Sequence, residues 1–254
     1  MNTKAAKIFS SLILPEKTVR IKLLGDSITH GVGGTGFAQD GEPITRGFAR
    51  NPGGFCWAKL MKDYLESRFD CRVVNNGCTG TTINFILDNF DALVDPEDDI
   101  ILCTIGTNNR HQYFTQGPKW DRRGHMENFY RNILALHDKF LAAGKQVIFM
   151  ANIPACANNE ADMQGEDGYW RIMHMNDIHD LYSKASLERD FPLIRMYTLF
   201  LDYCLERGIR LEALLPDGLH PNDEGYRVMF RLLLRELGIA EDIVSALSLT
   251  TGNN

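Results

Sequence analysis

The chain has 254 residues, 44% hydrophobic and 24% charged, an ordinary globular balance that excludes disordered and fibrous classes. Its 33 acidic residues outnumber 27 basic ones, for a formal net charge of -6, and no basic block could follow a phosphate backbone, which argues against nucleic acid as a partner. No apolar run approaches the roughly 20 residues that a membrane-spanning helix needs, and the length suits a single domain.

In chain order, residues 1–18 come first, with Lys4 and Lys7 ahead of a short apolar patch that stops at Pro15-Glu16-Lys17 without a small-residue cleavage site. They read as an amphipathic lead-in rather than a signal peptide. Five apolar, beta-branched runs follow, at 19–25, 71–76, 99–105, 145–151 and 192–197. Being apolar throughout rather than alternating, they suit parallel strands covered on both faces.

Helical segments separate them. GGFCWAKLMKDYLESRF spaces Phe55, Leu60, Met61, Tyr64 and Leu65 at helical intervals, and ENFYRNILALHDKFLAAG carries a long apolar stripe ending at Gly144, a C-terminal stop. The alternation implies a three-layer α/β/α, flavodoxin-like, doubly wound sheet of five mainly parallel strands in one domain over 19–244, with 245–254 a mobile tail. Six scattered cysteines without a CxxC pair read as reduced thiols and favour the cytoplasm.

Right-handed crossovers bring the strand C-terminal ends to one edge, where open α/β sheets bind ligands. GDSITHG, NNGCTGTT, GTNNRHQYF and NIPACANN fall there, and LPDGLHPNDEG precedes the last long helix. The first segment continues as GDSITHGVGGTG, whose Gly31, Gly33 and Gly36 match GxGxxG. A dinucleotide turn needs its first glycine at the strand end and an acid about 20 positions on, whereas Gly31 lies six residues beyond Gly25 and the second strand ends in Asn75-Asn76. No cofactor is expected. Ser27, directly after a strand, instead has the placement of an exposed nucleophile, although Thr29 breaks the GxSxG elbow.

GDSITHG resembles the first block of the GDSL or SGNH hydrolases, and three further blocks occur in that family's order between about residues 19 and 237. The resemblance implies a serine esterase forming an acyl-enzyme, with Ser27, Asp217 and His220 catalytic and Ser27, Gly80 and Asn108 forming the oxyanion hole. Gly77 is the alternative to Gly80, and Asn109 stands where the family's third block usually carries an acid. A hydroxyl needs a base as it attacks, and an imidazole, with a reference pKa of about 6.5, suits that work. Asp217, three residues before His220, would orient its ring and stabilise the imidazolium.

The neighbouring loops carry aromatics and cations: Phe37, Arg46, Phe48 and Arg50 in the first, Arg110, His111, Tyr113, Phe114 and Trp120 in the third, Tyr169 and Trp170 in the fourth. Arg110, His111 and Tyr113 are the expected substrate contacts, and a short acyl group on a carbohydrate the expected substrate. Acyl thioesters, lysolipids, or a non-catalytic anion-binding module are the alternatives. His174 and His179, five apart, lack metal-ligand spacing, so no metal is expected. Oligomeric state is not legible.

Overall fold

The apolar runs form five parallel strands in the computed structural model, which describes residues 1–12, 17–38, 40–44, 49–111, 121–160, 163–164 and 170–239. They are β1 (Val19–Gly25), β2 (Cys71–Gly77), β3 (Ile100–Thr104), β4 (Gln146–Ala151) and β5 (Leu193–Arg195). Their order in the sheet is β2-β1-β3-β4-β5. Strand β1, flanked by β2 and β3, runs in register from Val19 opposite Cys71 to Gly25 opposite Gly77, and Gly25 also faces Thr104 of β3. The loops leaving β1, β2 and β3 therefore emerge side by side.

The helices are α1 (Thr3–Phe9), α2 (Ser27–His30), α3 (Trp57–Glu66), α4 (Ile83–Asp88), α5 (Phe90–Leu93), α6 (Arg122–Ala142), α7 (Ala157–Glu160), α8 (Met175–Arg189), α9 (Met196–Arg207), α10 (Leu211–Leu214) and α11 (Asp223–Glu236). Capping residues start the long ones: Asp121 accepts from the Gly124 amide at 2.8 Å ahead of α6, and Asn222 from the Gly225 amide at 3.0 Å ahead of α11. Gly144, at φ 71°, follows the end of α6, as its sequence position suggested. No described helix is long and apolar enough to cross a membrane.

Side chains alternate across each strand and feed two cores. Ile21, Leu23, Ile100, Leu102, Ile148 and Met150 face α1, α3, α9 and α11; Leu24, Ile101, Cys103, Val147 and Phe149 face α4, α5, α6 and α8. This is the expected three-layer sandwich. The last apolar run is a shorter strand than expected, because Met196 already begins α9. The lead-in takes part in the packing: Ala5, Phe9 and Leu12 are buried in the first core, and the Asn2 amide donates to the Glu236 carbonyl. Lys22, buried mid-strand, is neutralised by Asp95 at 2.6 Å and Asp98 at 3.3 Å. All six cysteines are free thiols, and residues 245–254 lie outside the described residues.

Candidate active site

The chain turns sharply after β1 because Asp26 caps a single helical turn, its carboxylate accepting from the Ile28 amide at 3.1 Å. Asp26 is fully buried. Burial pushes its pKa up, against hydrogen bonds from the Thr107 hydroxyl, the Ile28 amide and the Asn152 amide at 2.9 Å. Asn152 also donates to Thr107 at 2.6 Å, so the loops following β1, β3 and β4 are pinned at one node. Asp26 thus braces the turn that presents Ser27.

Ser27 Oγ lies 2.9 Å from His220 Nε2, and His220 Nδ1 lies 2.7 Å from Asp217 Oδ2. The other Asp217 oxygen accepts from the amides of Leu219 at 2.9 Å and His220 at 2.7 Å. Burial alone would raise the Asp217 carboxyl, but the His220 ring and these amides outweigh it and hold its pKa below the ordinary 3.8. A carboxylate only accepts, so in the neutral ring the proton sits on Nδ1 and Nε2 faces the hydroxyl as an acceptor. Such a chain can take the serine proton and stabilise the resulting imidazolium.

The loop from β3 supplies the next groups. Asn108 donates its side-chain amide to the Thr81 carbonyl at 2.9 Å. Asn109, buried, accepts from the Ile83 amide at 3.0 Å and so caps the start of α4. Its NH2 additionally reaches Asn84 at 3.3 Å. The two candidate glycines separate cleanly. Gly77 is packed on α2, where a Cβ would meet His30 N at 2.5 Å, and its amide is engaged by Asn75 Oδ1 at 2.8 Å. Gly80 sits in an open turn at φ 80°, with no acceptor for its amide among the described residues.

The profile of the GDSL-like Lipase/Acylhydrolase family matches residues 23–228, a stretch that contains Ser27, Asn108, Asp217 and His220. The chain belongs to this family. It is accordingly a hydrolase acting on esters. Solved structures share the fold at low identity. An acetylxylan esterase from Geobacillus stearothermophilus is 18% identical with a TM-score of 0.62, over 87% of this chain and 95% of that one. An α/β hydrolase from the metagenome of Lake Arreo, Spain, is 19% identical with a TM-score of 0.64, over 89% and 98%. A GDSL-like lipase structure from Parabacteroides merdae is 16% identical with a TM-score of 0.62, over 88% and 97%. No curated protein matches by sequence.

In this GDSL-like hydrolase the expected substrate contacts need correcting. Arg110 is 0% exposed, donating to the Thr107 carbonyl at 3.0 Å and the Asn159 carbonyl at 3.0 Å, with Glu160 at 3.5 Å. It ties two loops together from inside, because a guanidinium that short of solvent must spend its donors on the protein. His111 is also buried. Its burial, then the Arg110 and Arg171 charges, push its pKa down to about 3, so the ring is neutral. Neither faces an entrance. Tyr113, like Arg46, Phe48, Phe114, Trp120 and Tyr169, and the side chain of Trp170, lies outside the described residues.

Sequence reasoning passed over three supports of the GDSL-like site. Asn159 donates to the Asp217 carbonyl at 2.9 Å, and the Cys156 amide to the Gly218 carbonyl at 2.8 Å, so the loop after β4 carries the Asp-His loop. Gly33 lies against that same loop, where a Cβ would meet Pro221 O at 2.5 Å and His220 Cβ at 3.2 Å. Only the sequence NIPACANN, at a strand end and rich in short polar groups, carried a signal for the first two.

Proposed function

We propose that the chain is a serine carboxylic-ester hydrolase that removes short acyl groups, acetyl above all, from a carbohydrate or similar small polar substrate. The hydrogen-bonded chain from Ser27 through His220 to Asp217 carries this reading. In the first half-reaction His220 Nε2 takes the Ser27 proton as Oγ adds to the ester carbonyl. The tetrahedral intermediate then collapses, the protonated ring hands its proton to the leaving alcohol, and an acyl-serine remains. Water, deprotonated by the same ring, repeats the sequence and releases the acid. In this reading the amides of Ser27 and Gly80 and the Asn108 side chain stabilise the developing oxyanion, which lowers the barrier more than it tightens ground-state binding.

Relatives of the same fold support the assignment. Catalytic mutants of the Geobacillus acetylxylan esterase replace a serine, an aspartate or a histidine, and the last two stand three positions apart, as Asp217 and His220 do. For the substrate, the side chains bordering the Asp-His loop are the amides of Asn158 and Asn159, which suit a hydroxyl-rich acceptor better than an acyl tail.

The test is release of p-nitrophenol from acetyl through long-chain acyl esters, and of acetate from acetylated xylo-oligosaccharides, by wild type and Ser27→Ala. The variant should lose at least about 10⁴-fold in kcat. Undiminished turnover in it removes Ser27 as nucleophile. A preference for long acyl chains or acyl thioesters rejects the deacetylase while keeping the mechanism, and absence of fluorophosphonate labelling points instead to an anion-binding module.

A further inference from the structure

His30 lies on the same single turn of helix as Ser27, three residues on, and is 4% exposed. Its Nδ1 accepts from the Thr79 backbone amide at 3.1 Å and lies 2.9 Å from Thr79 Oγ1. A backbone N–H can only donate, so Nδ1 is unprotonated and Nε2 carries the hydrogen. Burial lowers the His30 pKa, only partly opposed by Asp40, which keeps the ring in this accepting form.

The residue it holds adjoins Gly80. Thr81 donates its amide to the Cys78 carbonyl at 3.2 Å, closing a turn whose third residue, Gly80, has φ 80°. That is the positive φ a type II turn requires at its third position. Asn108 ties the far end of this turn through the Thr81 carbonyl at 2.9 Å, and at the near end the Cys78 amide donates to the Gly25 carbonyl at 3.0 Å while Thr79 is held by His30, so the turn is tied to both the end of β1 and the helical turn that carries Ser27.

We infer that His30 is a positioning residue for ester hydrolysis: by accepting from Thr79 it ties the turn that bears the Gly80 amide to the helical turn that bears Ser27, and so sets where that amide meets the oxyanion. The inference rests on the serine mechanism proposed above. It means that one helical turn supplies the nucleophile on its first residue and, on its last, the acceptor that aims a donor contributed by the neighbouring strand's loop.

Two substitutions at His30 separate positioning from packing. Phe37 packs its ring 5.0 Å from that of His30 at 75°, so His30→Phe keeps an aromatic ring and loses the acceptor, whereas His30→Asn loses the ring and keeps an oxygen near the place of Nδ1. Positioning predicts that His30→Phe loses about 10- to 100-fold in kcat on p-nitrophenyl acetate, less than outright removal of an oxyanion donor, with KM within about twofold, and that His30→Asn recovers most of it. A packing role predicts the reverse order, and that order overturns the inference. His30→Leu is a second acceptor-free variant should His30→Phe fail to fold, as judged by circular dichroism. With Ser27→Ala inactive, full kcat in the acceptor-free variant overturns the positioning role alone; full turnover in Ser27→Ala overturns the serine mechanism and this inference with it.

Discussion

In the proposed mechanism Asn108 serves structure and chemistry together. Its amide has two hydrogens and gives one to the Thr81 carbonyl, leaving the other for a substrate oxygen. Asn108→Ala is therefore expected to lower kcat by about 100- to 1,000-fold, or about 3 to 4 kcal/mol, with a smaller change in KM. Steady-state kinetics on p-nitrophenyl acetate measure it, and an effect confined to KM contradicts the assignment. At this scale the proposed reactive residues were legible because Asp217 and His220 lie within one short segment and Ser27 lies just beyond a strand, so local order already carries their relation. Arg110 and His111 misled because residue type suggests surface chemistry while burial decides whether a side chain can reach a substrate, and burial is a property of the whole fold.

Between β1 and α3 the glycines of GVGGTG solve a packing problem that a sequence pattern alone presents as a nucleotide motif. The loop is tied to α11 at two points, with the Tyr226 hydroxyl donating to the Val32 carbonyl at 2.7 Å and the Thr35 amide to Asp223 at 2.7 Å. Between these ties Gly33 passes His220 and Pro221 too closely for a side chain, at φ 92°. Gly33→Ala should cost about 1 to 2 kcal/mol from the left-handed backbone alone and more from contact with Pro221, and it should displace His220 and depress kcat. Urea denaturation alongside kinetics checks both; wild-type values for each would show that the loop yields without disturbing the base. The spacing of GxGxxG was visible in the sequence, but the partner that demands glycine lies 188 positions away, at Pro221.

Across the whole molecule, four buried histidines link stability to pH. Burial first, joined at His111 by the Arg110 and Arg171 charges, lowers the folded-state pKa of His30, His111, His125 and His179 below the ordinary 6.5. The unfolded chain then binds protons that the folded one refuses, so their contribution is complete above 6.5 and is lost as pH falls, down to about 3 for His111. Thermal midpoints should drop between pH 7 and pH 4, and the drop should be smaller in His111→Gln. An equal drop in both would mean that His111 does not couple to folding. Asp217, held below 3.8, stays ionised between pH 7 and pH 4 and keeps its bond to the His220 ring over that range.

The sequence by itself determined the five-stranded α/β sandwich, the strand ends where the motif segments collect and the proposed roles of Ser27, Asp217 and His220, because hydrophobic periodicity and short motifs are local and survive without knowledge of neighbours. Tertiary structure packed Gly77 against α2 and left Gly80 in an open turn, assigned Asn109 to the start of α4, moved Arg110 and His111 inside and brought His30 onto the turn before Gly80. Each of those outcomes depends on a contact between segments far apart in the chain. Only the order β2-β1-β3-β4-β5, which sets the loops of β1, β2 and β3 beside one another, makes such contacts possible.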